Sequence, residues 1–194
     1  GVLTNNKTLE NAKIGLDFEG KNIFQDSSLS GISVSGIFGN LDLSKVNSDY
    51  LNDQRDTGPK THGDFNKVVL DFYHIHKFTD KINFKYYGSL QHASKNLDSS
   101  EKFSLGGVSG VRAYPSGEAS GDEGHKLSFE VQYDLSKPDM DFDLIGTLFY
   151  DYGKIRQYKD SSNITLTTPN EYSLSGWGVS FDLIANERVK LNLG

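Results

Sequence analysis

The sequence predicts an all-β protein: an antiparallel transmembrane β-barrel, to which this chain contributes a partial barrel of about seven strands and a truncated one. Apolar and polar residues alternate with period 2 over segments of about nine to twelve residues, the length that a tilted membrane strand needs. The connections between these segments alternate strictly between short and long, which is typical of turns at one rim and loops at the other. A soluble β-sandwich or barrel stays open as the alternative, because its strands alternate as well.

Four strands are predicted before the middle of the chain. In the first and the fourth, the apolar residues fall on even positions and the polar residues on odd ones. The second strand loses this parity at Ile37 and Phe38, so it contains a bulge or follows another register. The four predicted strands are Asn11–Gly20, Leu29–Leu43, Gly63–His76 and Lys81–Gln91.

Four more strands are predicted after the middle, and the chain does not complete the last of them. Lys126–Tyr133 is the clearest, with apolar residues on odd positions. The others are Phe142–Gly153, Tyr172–Leu183 and Val189–Gly194. The predicted short turns are Phe24–Ser28, Lys77–Asp80, Ser136–Asp141 and Ala185–Arg188, and the predicted long loops are Ser44–His62, Ala93–Glu123 and Lys154–Glu171.

Composition excludes several function classes. A formal net charge of −6 argues against a nucleic-acid partner, which requires clustered Lys and Arg. With no cysteine, the chain has neither a disulfide framework nor a thiolate metal site. No apolar run approaches the roughly 20 residues of a membrane helix. Because the first residue is Gly1 and no signal peptide precedes it, we expect a fragment of a longer protein.

The loop 93–123 carries the strongest functional signal. Its glycines allow positive φ angles and close backbone approach, and we expect them to act as hinges. They frame a planar cation and an aromatic ring two residues apart, in the tetrad Val111-Arg112-Ala113-Tyr114. A loop of this length in a compact domain is usually functional or disordered, and this composition favours a functional loop. The expected hinges are Gly106, Gly107, Gly110 and Gly117.

An ordered set of motifs resembles one transporter family. The motifs are Glu101–Phe103, Leu105-Gly106-Gly107, the tetrad 111–114, Gly121–Gly124 and Glu130-x-x-Tyr133. Together they resemble the two-partner secretion transporters (TpsB), the haemolysin activator/secretion proteins of the ShlB/FhaC/HecB family, relatives of BamA. The likeness covers most of Asp64–Leu183. Ala113 stands where the wider superfamily has Gly.

The resemblance implies a function. Such a protein is a pore in the outer membrane of a Gram-negative bacterium, and it exports one large β-helical exoprotein (a haemolysin, adhesin or contact-dependent toxin) without nucleotide hydrolysis. The partners that it implies are a TpsA-type exoprotein in an extended state and outer-membrane lipid or lipopolysaccharide. Residues 1–194 then form the C-terminal part of the barrel domain, and the periplasmic N-terminal domains lie outside this chain.

The resemblance also implies a contact inside the barrel. In the family, the loop with the arginine tetrad folds inward, and its arginine meets the aspartate of a Phe-x-Asp-x-Gly motif on the wall. That motif corresponds here to Phe149-Tyr-Asp-Tyr-Gly153, so Asp151 and Gly153 are the expected partners of Arg112. A buried guanidinium needs such a carboxylate. From the residues alone, a solvated loop arginine and an unrelated aspartate near a strand end stay open.

Other candidate sites have simpler interpretations. The loop glycines lack the Gly-Lys-Ser/Thr of a phosphate cradle. His74-x-His76 has no third ligand nearby and is interpreted as a pair of rim residues rather than a metal site. Asp122-Glu123 is interpreted as a solvated loop mouth. We identify no catalytic constellation, no cofactor or metal site and no small-molecule substrate, so the protein is not predicted to be an enzyme.

Rival functions stay open at this point. From the same superfamily, a BamA-like factor that assembles other barrels has similar motifs. A passive porin or barrel enzyme is a second rival, although the sequence shows no paired nucleophile and base. A soluble carbohydrate-binding β-sandwich is the third.

Overall fold

A single eight-stranded antiparallel sheet dominates the computed structural model, which describes residues 6–139, 141–185 and 189–193. Each strand pairs with its neighbours along the chain, so the sheet is a meander, and the predicted partial antiparallel β-barrel is confirmed. Its strands are β1 (Thr8–Lys21), β2 (Ser28–Asp42), β3 (Gly63–Lys77), β4 (Ile82–Ala93), β7 (Glu123–Asp134), β8 (Asp143–Arg156), β9 (Glu171–Ala185) and β10 (Val189–Leu193).

The connections contain short elements of their own. Helix α1 (Asn47–Gln54) lies between β2 and β3, where the sequence predicted only a polar loop. Between β4 and β7, a 3₁₀ turn (Ser99–Glu101) precedes two short strands, β5 (Phe103–Ser104) and β6 (Ser120–Gly121), which pair with each other. The prediction that Ser44–His62 is only a loop was therefore wrong at α1.

Strand β2 has a continuous register, and the predicted bulge is absent. Ile37 and Phe38 pair in sequence with β1 on one side and with β3 on the other. The apolar parity breaks there because Ile37 points to the inside, where it packs against a buried cluster of Phe65, Ala93 and Leu97. One inward apolar residue thus produced the misleading pattern.

The two faces of the sheet differ in chemistry. We call the face on which residues 94–122 lie the inner face and the opposite one the outer face. On the outer face, Tyr86, Phe129, Tyr150 and Trp177 form one row across four paired strands, and all four side chains are exposed. The adjacent inner row holds Tyr87, Ser128, Asp151 and Gly176. The structure thus separates apolar and polar residues into two faces along the predicted parity.

The long connections share one end of the sheet and the short turns share the other, because consecutive strands are antiparallel. We call these the long-loop end and the short-turn end. Parts of the predicted segments lie outside the described residues: residue 140 in one turn, residues 186–188 in another, and residue 194 at the end of the last strand.

Among the described residues, no helix has both the length and the apolar character to cross a membrane.

Candidate functional site

The connection between β4 and β7, residues 94–122, folds back onto the inner face. We call it the inward loop. Its paired segment, residues 103–121, is named the hairpin, and it packs against β8 and β9. The contact is a buried apolar cluster that combines hairpin residues with wall residues. Its members are Phe103, Leu105, Val111 and Ala119 of the hairpin with Ile155 and Leu174 of the wall, and Tyr114 and Tyr172 pack against them.

Backbone hydrogen bonds close the end of the hairpin into a compact tip. The amide of Val111 donates to the carbonyl of Leu105 at 2.6 Å, and the amide of Gly107 donates to the carbonyl of Tyr114 at 2.9 Å. Gly107 and Gly117 have φ angles of +91° and +84°, a region that side chains disfavour. The tip therefore holds one conformation without a helix or a long ladder.

The other two predicted hinge glycines allow close approach rather than unusual dihedrals. A Cβ at Gly106 would overlap the carbonyl of Pro115, and one at Gly110 would overlap the carbonyl of Leu105. Neither has a positive φ angle among those recorded for the described residues. Both glycines let the backbone fold tightly upon itself inside the hairpin.

Arg112 projects from this tip onto Asp151 of β8. Its Nε and Nη2 donate to the two carboxylate oxygens at 2.8 Å each, and its backbone amide donates to Oδ2 at 3.0 Å. The fork geometry is the bidentate contact that guanidinium and carboxylate groups favour. Asp151 is 1% exposed, so the pair is shielded from water on the wall side.

A second carboxylate completes the arginine site. Nη1 of Arg112 donates to Oε1 of Glu130 at 2.7 Å, and the hydroxyl of Tyr87 donates to the same oxygen at 3.1 Å. The sequence placed Glu130 on the inner parity of β7 but did not pair it with Arg112. The available signal was its position in the ladder, since β7 is the direct neighbour of the strand that carries Asp151.

The wall motif uses three alternate residues of β8 that share the inner face. The guanidinium of Arg112 lies 3.6 Å from the ring centroid of Phe149, a cation–π contact. Asp151 follows two positions later, and Gly153 two positions after that. A Cβ at Gly153 would lie 2.5 Å from Cδ2 of Leu105, so only glycine leaves room for this hairpin residue.

Strand β9 makes room for the tip in the same way. A Cβ at Gly176 would lie 2.5 Å from Cβ of Ala113, so the glycine gives the tip direct access to the wall. The other three residues of the tetrad 111–114 therefore make two kinds of contact. Val111 and Tyr114 pack into the apolar cluster, whereas Ala113 contacts the wall at Gly176.

The electrostatics keep the arginine charged. Burial alone would lower the pKa of Arg112. Its hydrogen bonds to Asp151 and Glu130, together with the charges of Tyr87 and Asp151, outweigh burial and raise the pKa above its ordinary value. Two carboxylates around one guanidinium leave one formal negative charge, which the hydroxyl of Tyr87 and the hairpin amide partly compensate. The arrangement can hold the tip against the wall; it contains no nucleophile and base in contact.

The structure also shows the contacts of the other candidate residues, Asp122 and His74. Asp122 was predicted to lie in a solvated loop mouth, and this was wrong: the residue is 0% exposed. It accepts hydrogen bonds from the amides of Leu97 and Lys159, which belong to two different long connections, and forms an ion pair with Lys102. His74 is buried, bonded to Ser30 at 2.7 Å and stacked on Tyr86, near the short-turn end. Within the described part of the chain, no group of three or more His, Cys, Asp or Glu side chains could hold a metal ion.

Comparisons with known proteins agree on one family. Residues 32–183 match the model of the haemolysin secretion/activation protein family ShlB/FhaC/HecB. The heme/hemopexin transporter protein HuxB of Haemophilus influenzae strain 86-028NP is 35% identical over 162 residues, which is 82% of this chain and 28% of HuxB. A second Haemophilus influenzae HuxB is 33% identical, with 84% and 28% covered. The chain thus spans under a third of the length of these relatives.

A solved structure shares the fold. CdiB from Escherichia coli superposes with a TM-score of 0.58 at 15% sequence identity, covering 92% of this chain and 39% of CdiB. At this identity the likeness concerns the fold alone, and it agrees with a partial β-barrel.

Proposed function

We propose a transport function for this chain, which belongs to the haemolysin secretion/activation protein family ShlB/FhaC/HecB. In this proposal it forms part of the wall of a two-partner secretion pore in the outer membrane of a Gram-negative bacterium. The pore exports one TpsA-type exoprotein in an extended state. The exported protein in this proposal is a large β-helical haemolysin, adhesin or contact-dependent toxin, and the outer face contacts outer-membrane lipid or lipopolysaccharide.

The observation that carries the proposal is the hairpin fixed to the inner face through Arg112, Asp151 and Glu130. A loop that occupies the interior of a barrel closes a passage, and a contact of a few charged groups can be broken without unfolding the wall. In this proposal the inward loop is the closed state of the pore. In this proposal secretion needs both docking and release: the docked tip is the state that engages the exoprotein, and release of Arg112 from Asp151 then opens the passage. A tip that cannot dock and a tip that cannot leave are therefore both expected to block secretion.

The surroundings of the tip support such a passage. A cavity of about 750 Å³ lies on the inner face between the tip and the short-turn end, and its lining includes Lys85, Gln132, Thr147 and Ser180. The polar part of its lining offers hydrogen-bond partners to an extended polypeptide, which carries unsatisfied backbone groups. The proposal places the short turns in the periplasm and the long loops at the cell surface, so that the exoprotein enters this cavity first and meets the tip.

The experiment measures secretion in cells that express the full-length protein with its exoprotein. Arg112→Ala and Asp151→Ala are each expected to reduce the exoprotein in the medium at least tenfold, while the barrel still assembles, as heat-modifiable gel mobility reports. Arg156→Ala is the matched control, because this arginine pairs with Glu171 and Glu123 on the outer face at the long-loop end and contacts neither the tip nor Asp151. Wild-type secretion by both variants would refute the proposal.

A further inference from the structure

The base of the inward loop is joined to the neighbouring long loop by a fully buried carboxylate. We call residues 94–102 together with Asp122 the loop base. Asp122 is completely buried, and its Oδ1 accepts hydrogen bonds from the amide of Leu97 at 3.1 Å and from Nζ of Lys102 at 2.9 Å. Its Oδ2 accepts from the amide of Lys159, in the connection between β8 and β9, at 2.8 Å. One side chain therefore holds both ends of the base and the next loop.

Asn96 joins all three long loops at one point. Its side-chain amide donates to the carbonyl of Pro59, in the β2–β3 connection, at 2.7 Å and to the carbonyl of Asp160 at 2.8 Å. Its side-chain oxygen accepts from the amide of Asp160 at 2.8 Å. The residue is 5% exposed, so these hydrogen bonds are shielded from water. Breaking them would leave buried backbone groups without partners.

Further contacts reinforce both connections. Nζ of Lys102 also donates to the carbonyl of Gln157 at 2.6 Å and lies 4.4 Å from the ring centroid of Tyr158. Nζ of Lys95 donates to the carbonyl of His62 at 2.7 Å. The loop base is thus bound to both neighbouring loops by hydrogen bonds of Lys95, Asn96, Lys102 and Asp122.

The hairpin is bound differently. Its contacts with the wall are the apolar cluster, the side chain and backbone amide of Arg112, and Ala113 against Gly176. The carbonyl of Ser109 also accepts a hydrogen bond from Nζ of Lys126. The hairpin joins the base between Lys102 and Phe103 and between Gly121 and Asp122. The two-residue pairing of β5 with β6 keeps its stem together. Two differently bound units therefore meet at the ends of β5 and β6.

We infer that the inward loop opens as a hairpin swinging from a fixed base, and that Asp122 and Asn96 are the positioning residues that keep the base in place. This inference rests on the proposed function, because it specifies which part of the loop moves during secretion. The three long loops stay joined through Asn96 while residues 103–121 leave the inner face. A loop that withdrew as a whole, residues 94–122 together, would have to break every contact of Asp122 and Asn96.

The test uses two engineered disulfides in the full-length protein, in a background without other cysteines. The base pair is Asn96→Cys with Asp160→Cys, which replaces the hydrogen bonds between these residues by a covalent link. The tip pair is Ala113→Cys with Gly176→Cys, where an ideal Cβ at 176 lies 2.5 Å from Cβ of Ala113, about 1 Å short of the usual disulfide separation. Secretion of the exoprotein is measured for each variant oxidised and after reduction.

With the base pair oxidised, secretion is expected to stay within about twofold of the reduced form. With the tip pair oxidised, secretion is expected to fall at least tenfold below that of the same variant after reduction, whose own level is given by the Gly176→Cys single variant. Two outcomes would overturn the inference of a fixed base: a base disulfide that reversibly blocks secretion, or one that does not form in the folded protein. Both leave the proposed function standing. A tip disulfide that forms and leaves secretion unchanged contradicts the proposed function instead.

A second variant tests Asp122 without a cross-link. Asp122→Asn keeps the shape of the side chain but replaces one carboxylate oxygen by an NH₂ group. That NH₂ group then faces another donor, either the amide of Lys159 or the amide of Leu97. We expect faster proteolysis of residues 157–170 in folded barrels and unchanged protection of a cysteine at Val111 in the hairpin. Equal acceleration at both places would mean that base and hairpin move as one unit, which would overturn the inference.

Discussion

Replacing Asp151 by asparagine is expected to release the tip of the inward loop while the wall stays folded. The carboxylate accepts three hydrogen bonds from Arg112, two of them charge-assisted, at 2.8 to 3.0 Å. Asparagine keeps one acceptor, but its NH₂ group then faces a guanidinium that can only donate. The substitution therefore strands part of a buried charge rather than merely removing a contact.

The magnitude follows from the contacts that remain. Breaking a buried ion pair by removing one partner costs about 3–5 kcal/mol. Because Arg112 keeps Glu130 and the ring of Phe149, we take the lower value, about 3 kcal/mol, which increases the undocked fraction about a hundredfold. Glu130→Gln removes one charged acceptor, so about 1.5 kcal/mol and about tenfold are expected.

The assay is the labelling rate of a single cysteine in the hairpin. Val111 is 0% exposed, so Val111→Cys reacts with a water-soluble thiol reagent only when the hairpin has left the wall. When docking is fast relative to labelling, the rate is proportional to the undocked fraction. Val108→Cys is the matched control, because Val108 is 88% exposed in the docked hairpin and should react at the same rate in every variant.

The result that would refute the reasoning is specific. If Val111→Cys is labelled at the same rate with and without the Asp151→Asn substitution, the ion pair does not hold the hairpin. If Glu130→Gln accelerates labelling more than Asp151→Asn, the order of the two carboxylates is wrong. Acceleration at both reporter cysteines would indicate unfolding of the hairpin rather than undocking.

Three further predictions concern the contact between the tip and Gly176, the pH dependence of the first long loop, and the environments of the outer and inner faces. Gly176→Leu should exclude the tip from the wall at a cost of about 1–3 kcal/mol and reduce secretion, whereas Gly36→Ala on the outer face should change neither. Burial raises the pKa of Asp53, but the hydrogen bonds that its carboxylate accepts outweigh burial and lower the pKa below its ordinary value. The ionised carboxylate should therefore stabilise the first long loop above about pH 4, and this stabilisation should be lost as the pH falls further. Spin labels at Trp177 and Ser180 in bilayers should be quenched by lipid-soluble and water-soluble agents, respectively.

Each of these predictions has a measurement that contradicts it. Secretion at the wild-type level by Gly176→Leu would mean that the tip does not need the wall glycine. The rate of limited proteolysis within residues 43–62, measured as a function of pH, tests the prediction for Asp53. Asp53→Asn should remove the acid dependence of this rate. An unchanged acid dependence in that variant would exclude Asp53 as its source. Equal quenching at both spin labels would contradict the assignment of lipid and lumen faces.

Strand positions and faces could be predicted from sequence because each depends on local alternation. In β7, apolar residues on odd positions fix the outer face without knowledge of any neighbour. Ile37 shows where this logic fails, because an inward residue near the long-loop end contacts other apolar residues and not the polar lumen. Parity identifies a face; it does not identify what covers the face.

The site could be predicted only in part. The Arg112–Asp151 contact was expected from motifs in family order, and the structure brings the two residues together. Glu130 was not paired with Arg112 because the orientation of the guanidinium depends on the folded hairpin. The sequence does not predict the burial of Asp122 because its partners, Leu97 and Lys159, are distant in sequence.

Helix α1 illustrates the same limit. It starts at Asn47 without a side-chain cap, so it lacks the usual sequence signal for a helix start. Its stability comes instead from Asp53, which accepts hydrogen bonds from the amides of Thr61 and His62 after the chain has turned back. A short helix held by contacts beyond its own end cannot be predicted from periodicity.

The central claim is that Arg112 and Asp151 act as one unit in secretion, and a double-mutant cycle tests it most directly. Secretion by the full-length protein is measured for Arg112→Ala, Asp151→Ala and the double variant, with barrel assembly checked in each. The account predicts that the double variant secretes about as much as either single variant, because each single substitution already breaks the pair. If the two reductions multiply, so that two tenfold losses give about a hundredfold loss, the residues act independently and the account is wrong.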